Sequence, residues 1–179
     1  GYDYGFDQLV AMARQLPAGK YVINPNAPLF YHRTKDMVSR VQDYCREKGQ
    51  PVPERPEEIY RCLIDSYGLA ARNCIEELER GIGGRIKRIR LFNGGCQCSL
   101  LGEVISACTG LPLESGVRYA TAAGNALIQM YAAGELSSEA EMRELSRKSF
   151  GFRDLTVKQD DFWDELYAEQ MQLWKKDGL

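Results

Sequence analysis

The chain has 179 residues, of which 44% are hydrophobic and 27% charged, and its formal net charge is −2. That length supports a domain with a real core, and the composition is ordinary for a globular protein in solution. The charge balance gives no field that would draw nucleic acid or a membrane surface. No apolar run approaches the roughly 20 residues of a membrane span, and the start "GYDYGFDQLVAMARQL" has neither a basic n-region nor an apolar signal core.

Leu9, Val10, Ala13 and Leu16 form an apolar stripe that predicts a first helix over residues 6–16, ended by Pro17, Ala18 and Gly19. "NPNAPLFYH" (24–32) reads as an irregular loop, with His32, the one histidine, as a loop or surface residue before "RTKD". A second helix is predicted over 36–48, with Met37, Val38, Val41, Tyr44 and Cys45 inward and Gly49 as its C-cap. "QPVPERP" is a stiff connector. A long helix follows over 56–80, with Pro56 in its first turn and Glu57 and Glu58 at the positive end of its dipole. Ile59, Leu63, Ala70, Cys74 and Leu78 recur at helical spacing, and Gly68, Ala70 and Ala71 are small enough to let another element pack closely. "GIGG" (81–84) ends this helix. It follows a helix and precedes a strand, the reverse of the context a dinucleotide fingerprint requires.

The run from Ile89 to Phe92 reads as a buried strand that stops at Asn93, Gly94 and Gly95. A helix is predicted over 99–108, with Leu100, Leu101, Val104 and Ile105 on one side and Gly110 as its cap, followed by a second short strand in "LPLE" (111–114). Strand, helix and strand at this separation imply a right-handed parallel crossover. Further helices are predicted over 121–133 and, from the S-x-x-E spacing within "SSEAE" (137–141), to about Lys148. Phe162, Leu166, Met171 and Trp174 mark a C-terminal helix within 158–179. Many helices and two strands describe a helix-rich α/β domain spanning 1–179. Two parallel strands alone would expose unpaired edges, so further strands are expected upstream of Gly1.

Six cysteines are present. Cys62 and Cys74 fall on one predicted helix, roughly 18 Å apart at about 1.5 Å per residue, too far for a disulfide. Cys96 and Cys98 form a lone C-x-C with no partner knuckle, so no metal site is expected, and buried thiols in a reducing, cytoplasmic compartment are the reading. "RIKRIR" (85–90) is either a basic patch or a solvated lead-in to the strand; without interleaved aromatics or net positive charge the lead-in is favoured. The small residues from Ala120 to Ala126 serve either close helix packing or a sliding hinge. The glycine loop is either a tight turn or a place where backbone approaches a ligand at a helix N-terminus. It is not a G-x-x-x-x-G-K-[ST] phosphate loop, and the chain has no G-x-S-x-G elbow.

The order of these pieces resembles a known family. "IYRCLIDSYGLAARNCIEEL" (59–78), a strand, "NGGCQCSLL" (93–101) and then "ATAAGNALIQMYAAGEL" (120–136) are similar to the C-terminal domain of the FGGY carbohydrate kinases. These belong to the actin, sugar kinase and Hsp70 superfamily, and "NPNAPLF" and "YCREKGQPVPERPEEIYRCLIDS" look most like its L-rhamnulose kinase branch. The resemblance covers about residues 6–150. It implies a partial ribonuclease H-like, actin-like ATPase domain.

In that family the glycine loop is the adenosine motif, typically "GGGCQN" or "GGGSQN". The resemblance therefore implies nucleotide contact at Asn93, Gly94, Gly95, Cys96, Gln97 and Cys98. The family's "EASTLGN" or "EATALGN" segment lies at the interdomain hinge and implies that role for Thr121, Gly124 and Asn125. Three positions depart from the pattern: Asn93 replaces the first glycine, Cys98 the asparagine and Tyr119 the glutamate. No catalytic aspartate or phosphate motif is recognisable, so those parts are expected upstream and the chain alone is expected to be inactive. The implied parent uses ATP and Mg2+ to phosphorylate a ketose such as L-rhamnulose, with fuculose, xylulose or glycerol as alternatives. Another reading is a non-catalytic relative acting as a regulatory or interaction module; a third is a free-standing helical binding domain. Nucleic acid and membrane are not expected partners, and a homo-oligomer is compatible with the reading.

Overall fold

Residues 4–32 and 36–177 are described by the computed structural model. Arg33, Thr34 and Lys35 of the "RTKD" loop and the last two positions of the expected C-terminal helix lie outside the described residues. The helices are α1 (Phe6–Arg14), α2 (Met37–Glu47), α3 (Pro56–Ile82), α4 (Ser99–Thr109), α5 (Ala120–Ala132), α6 (Glu139–Ser149) and α7 (Asp161–Trp174). The strands are β1 (Ile89–Leu91), β2 (Leu113–Ser115) and β3 (Arg153–Asp154).

The helix ends follow from local chemistry. Asp36, Ser138 and Asp160 each accept a backbone N–H of the first turn of α2, α6 and α7. In α6 the carboxylate of Glu141 accepts from Ser137, one residue earlier than a capping box would place it. Gly83 and Gly110 close α3 and α4 in the left-handed region, at φ of 63° and 67°.

The long helix α3 divides the core. On one side Ile59, Cys62 and Leu63 meet Tyr21, Ile23, Val41, Tyr44 and Cys45. On the other, Ile64 and Leu69 join Ala13, Val104, Cys108, Trp163 and Trp174, contributed by α1, α4 and α7. The buried pair Arg61–Asp65 pins the chain after α1: Arg61 Nε donates to Asp65 at 2.9 Å, and Asp65 accepts the Gly19 N–H at 2.7 Å. The far end of the chain is also tied down, because Asp177 accepts the Tyr44 hydroxyl at 2.7 Å and pairs with Lys48.

α3 and α4 pack closely. A Cβ added at Gly68 would come within 2.6 Å of Val104 Cγ1 and 2.9 Å of Cys108 Sγ. On the opposite face of α4, a Cβ at Gly102 would meet Leu155 Cδ1 at 2.5 Å and Leu113 Cδ2 at 3.1 Å. The helix is thus wedged between α3 and the sheet, with a glycine on each side. The sheet order is β1-β2-β3, with β1 parallel to β2 as expected from the crossover. β3 runs antiparallel to β2, with Glu114 opposite Asp154 and Ser115 opposite Arg153.

Several expectations need correction. β1 is not a buried strand: Ile89 and Leu91 are half-buried, Arg90 is exposed and Phe92 lies beyond the strand. The reason is the alternation itself. Leu113 and Ser115 are buried on the side of β2 that faces α4, whereas Arg90 pairs with Glu114 at 2.9 Å on the other side. Arg88 and Arg85 of the same basic cluster pair with Glu114 and Glu79. Cys74 is exposed, unlike the other five cysteines, and Leu78 is also exposed. The apolar stripe of α3 runs on past the length of α4 that covers it. Met37 and Val38, expected to face inward, are exposed, and so is Phe162 of α7. His32 is exposed, as expected. All six cysteines are free thiols, and no described helix is long and apolar enough to cross a membrane.

Two substitutions on α3 test the wedge. Gly81 has nothing within 4 Å of an added Cβ, so Gly81→Ala should stabilise by up to about 1 kcal/mol through helix propensity. Gly68→Ala makes the same chemical change but should destabilise, since overpacking costs about 1–3 kcal/mol. Urea unfolding midpoints of the two variants should move in opposite directions; movement in the same direction would contradict the packing.

Glu58 tests the start of α3. Burial opposes its charge, but N–H groups of Arg55 and Glu54, the Tyr21 hydroxyl and the Arg55 guanidinium outweigh it and lower the carboxyl from 4.5 to about 2. A depressed folded pKa gives stability that is complete above the unfolded value and lost as pH falls through the folded one. Glu58→Gln should therefore lower stability at pH 7, with the deficit shrinking as pH falls from 4.5 to about 2. A deficit independent of pH over that range would contradict the assignment.

Candidate nucleotide-binding site

The loop after β1 takes its shape from one residue. Asn93 has φ of 55° and is the one non-glycine residue with positive φ among the described residues. Asparagine tolerates this left-handed region better than most residues, which accounts for its standing where the family pattern has glycine. Residues Asn93–Gln97 then form a 3-10 turn leading into α4.

Gly94 and Gly95 are not in the left-handed region, and a Cβ added at either meets nothing within 4 Å. Neither the turn nor the internal packing requires glycine there. The space above this backbone is open.

The other loop residues divide by direction. Cys96 is buried; its thiol donates to the Asn93 carbonyl at 2.9 Å. Its own carbonyl accepts from Ser115 Oγ at 2.9 Å and from the Arg153 guanidinium at 2.8 Å. Cys98 is also buried and is the N-cap of α4, accepting the Leu101 N–H at 3.4 Å and the Tyr60 hydroxyl at 3.3 Å. The side chains of Cys96 and Cys98 therefore fasten the loop from inside, while Asn93, Gly94, Gly95 and Gln97 form its outer surface.

Gln97 lines a hollow of about 400 Å3 together with Gly116, Val117, Arg118, Tyr119, Phe150 and Arg153. The sequence reading missed this second wall. Its signal was Gly116, which follows β2 as Gly94 follows β1, and ligands in parallel α/β sheets gather beyond the carboxyl ends of strands. Gly116 is required by packing: a Cβ there would lie 2.7 Å from the Phe92 ring. Arg153 was missed because its contact with Cys96 spans 57 residues.

The three expected hinge residues lie on α5. Thr121 and Asn125 are exposed, Gly124 is half-buried, and a Cβ at Gly124 meets nothing within 4 Å. No residue of α5 is buried, although Ile128, Met130 and Tyr131 are apolar and exposed. Thr121 is close in sequence to the hollow, so the two expected motifs adjoin through residues 116–119.

The open backbone and the adjoining hollow leave room for a ligand to approach the loop. No group of three or more His, Cys, Asp or Glu side chains that could hold a metal ion occurs among the described residues.

A helix-rich α/β fold with a glycine loop at the end of a parallel strand defines a class, and the comparisons give it a family. Residues 4–133 match the FGGY family of carbohydrate kinases, C-terminal domain, and the chain belongs to that family. It is 31% identical over 165 residues to a rhamnulokinase of Bacteroides thetaiotaomicron, covering 92% of this chain and 34% of that protein. It is 30% identical over 174 residues to a rhamnulokinase of Ligilactobacillus salivarius, covering 97% of this chain and 36% of that one. The crystal structure of xylulose kinase from Rhodospirillum rubrum shares the fold, with a TM-score of 0.64 at 19% identity over 95% of this chain and 33% of the other. The chain thus spans about a third of the length of the curated relatives it matches.

Replacing Cys98 tests the cap. A thiol is a weak acceptor, whereas asparagine is among the best N-caps and is the family's usual residue here. Cys98→Asn should stabilise by about 1 kcal/mol, and Cys98→Ala should destabilise. If Cys98→Asn lowers the urea midpoint as far as Cys98→Ala, the residue is held by packing and not by capping.

Proposed function

We propose that this chain supplies the adenosine-binding wall and one side of the hinge of an ATP-dependent carbohydrate kinase. The supporting observation is the pair Gly94 and Gly95, which neither fold nor packing requires, at the end of a parallel strand and beside a hollow of about 400 Å3. Close approach of a ligand to backbone is the remaining use for glycine at such a place.

The parent reaction is transfer of the γ-phosphoryl group of ATP to a hydroxyl of a ketose, and the rhamnulokinase relatives favour L-rhamnulose. Mg2+ neutralises charge on the phosphates in such transfers. The phosphates, the Mg2+ and the sugar belong to the remainder of the cleft, together with the aspartate that accepts the sugar's proton. The residues of this chain act by position: Gly94 and Gly95 admit the adenosine, Gln97 and residues 116–119 border it, and α5 offers an apolar, uncovered surface to a second domain. Closure of two domains excludes water from the transfer. Such a kinase works on the ATP of the cytoplasm.

Two of the three departures from the family pattern keep the local geometry. Asn93 keeps the left-handed turn, and Cys98 keeps the cap of α4. Gly95→Val in the full-length enzyme that carries this chain tests the reading. The apparent KM for ATP should rise about tenfold or more, equivalent to about 1.4 kcal/mol. The KM for the sugar and the melting temperature should change little. A lower melting temperature with unchanged KM for ATP would mean that the loop is only a turn.

A further inference from the structure

The first N–H groups of a helix have no partner within it. At α5 the N-cap residue is Tyr119, whose side chain makes no capping hydrogen bond. The Ala120 N–H instead donates to Asn93 Oδ1 at 3.0 Å, across 27 residues of sequence. The Asn93 N–H donates to the Val117 carbonyl at 3.0 Å, and the Gly116 N–H to the Leu91 carbonyl at 2.8 Å. The glycine loop and the lead-in to α5 are therefore joined on both sides of Asn93.

Few residue types could make this connection. The position needs φ of 55°, which glycine also supplies, and a side-chain acceptor, which glycine lacks. Asn93 and Tyr119 are two of the three departures from the family pattern, and the structure makes them complementary: one leaves α5 without a cap of its own, and the other provides it from the loop.

We propose that Asn93 is a positioning residue that caps α5 from the glycine loop and carries the effect of nucleotide binding at that loop into the start of α5. The proposal rests on the reading of the loop as a nucleotide wall. Its energy lies in a single neutral hydrogen bond together with the ordering of one helix end, so the coupling is local: it reaches the first turn of α5, where Thr121 lies.

Amide hydrogen exchange by NMR on this chain tests the connection without ligand. Asn93→Gly keeps the turn and deletes the acceptor, so exchange at Ala120 should accelerate about tenfold. Asn93→Asp keeps the acceptor and should preserve protection. Unchanged exchange in Asn93→Gly would overturn the proposal.

An ADP titration to several millimolar tests the coupling. Amides of residues 94–97 and 120–123 should both shift in the unmodified chain. In Asn93→Gly the shifts at 94–97 should persist and those at 120–123 should vanish. Adding Tyr119→Ser to Asn93→Gly separates coupling from capping, because serine gives α5 an N-cap of its own. Protection of the helix end should then return while the ADP response of α5 stays absent. Return of that response would reduce Asn93 to a structural cap and overturn the proposal. If ADP shifts no amide of the unmodified chain, the nucleotide reading fails and the coupling falls with it, while exchange at Ala120 still decides whether Asn93 caps α5.

Discussion

The close approach of α4 to its neighbours on both faces is the constraint on which the rest depends. Gly68 on α3 accommodates Val104 and Cys108, and Gly102 on α4 accommodates Leu113 and Leu155. A methyl group at either contact would press on atoms already at van der Waals distance, and interiors packed at crystal-like density yield little. Because α4 cannot move away from α3 or from the sheet, its N-terminus is fixed in relation to the end of β1. The loop between them inherits that position. Cys98, at the first turn of α4, and Cys96, held by Ser115 and Arg153, fasten the loop from beneath and leave its outer face free.

The two motifs expected from the sequence are parts of one surface. The loop after β1 and the segment after β2 end side by side because the strands are parallel, and backbone hydrogen bonds from Asn93 and Gly116 join them. This arrangement allows few side chains to act. Gly94 and Gly95 contribute by having none, and the buried cysteines contribute by holding backbone. No residue of α5, the helix that adjoins this surface, is buried.

The helices were legible in the sequence because periodicity and caps are local signals: Asp36, Pro56, Ser138 and Gly110 mark ends that the structure reproduces within two or three residues. The parallel pairing of the strands was legible from the crossover between them. β3 was not, since Arg153 and Asp154 carry no apolar alternation and form a strand only through their register with β2. The reading of β1 as buried overlooked Arg90, whose charge needs a solvated face. In the site, sequence located the loop but could not distinguish which residue bears the left-handed turn. Glycine suggests positive φ, yet here Asn93 has it and the glycines do not. The inward direction of Cys96 and Cys98 and the far wall formed by residues 116–119 depend on contacts between distant parts of the chain.

Photolabelling with 8-azido-ATP, followed by peptide mapping, tests most directly whether the glycine loop is the adenosine wall. The account predicts label within residues 92–97 or 116–119, suppressed by excess ATP. Label that ATP does not suppress, or label confined to another concavity such as the apolar one lined by Leu9, Val38, Ile59 and Leu63, would contradict it.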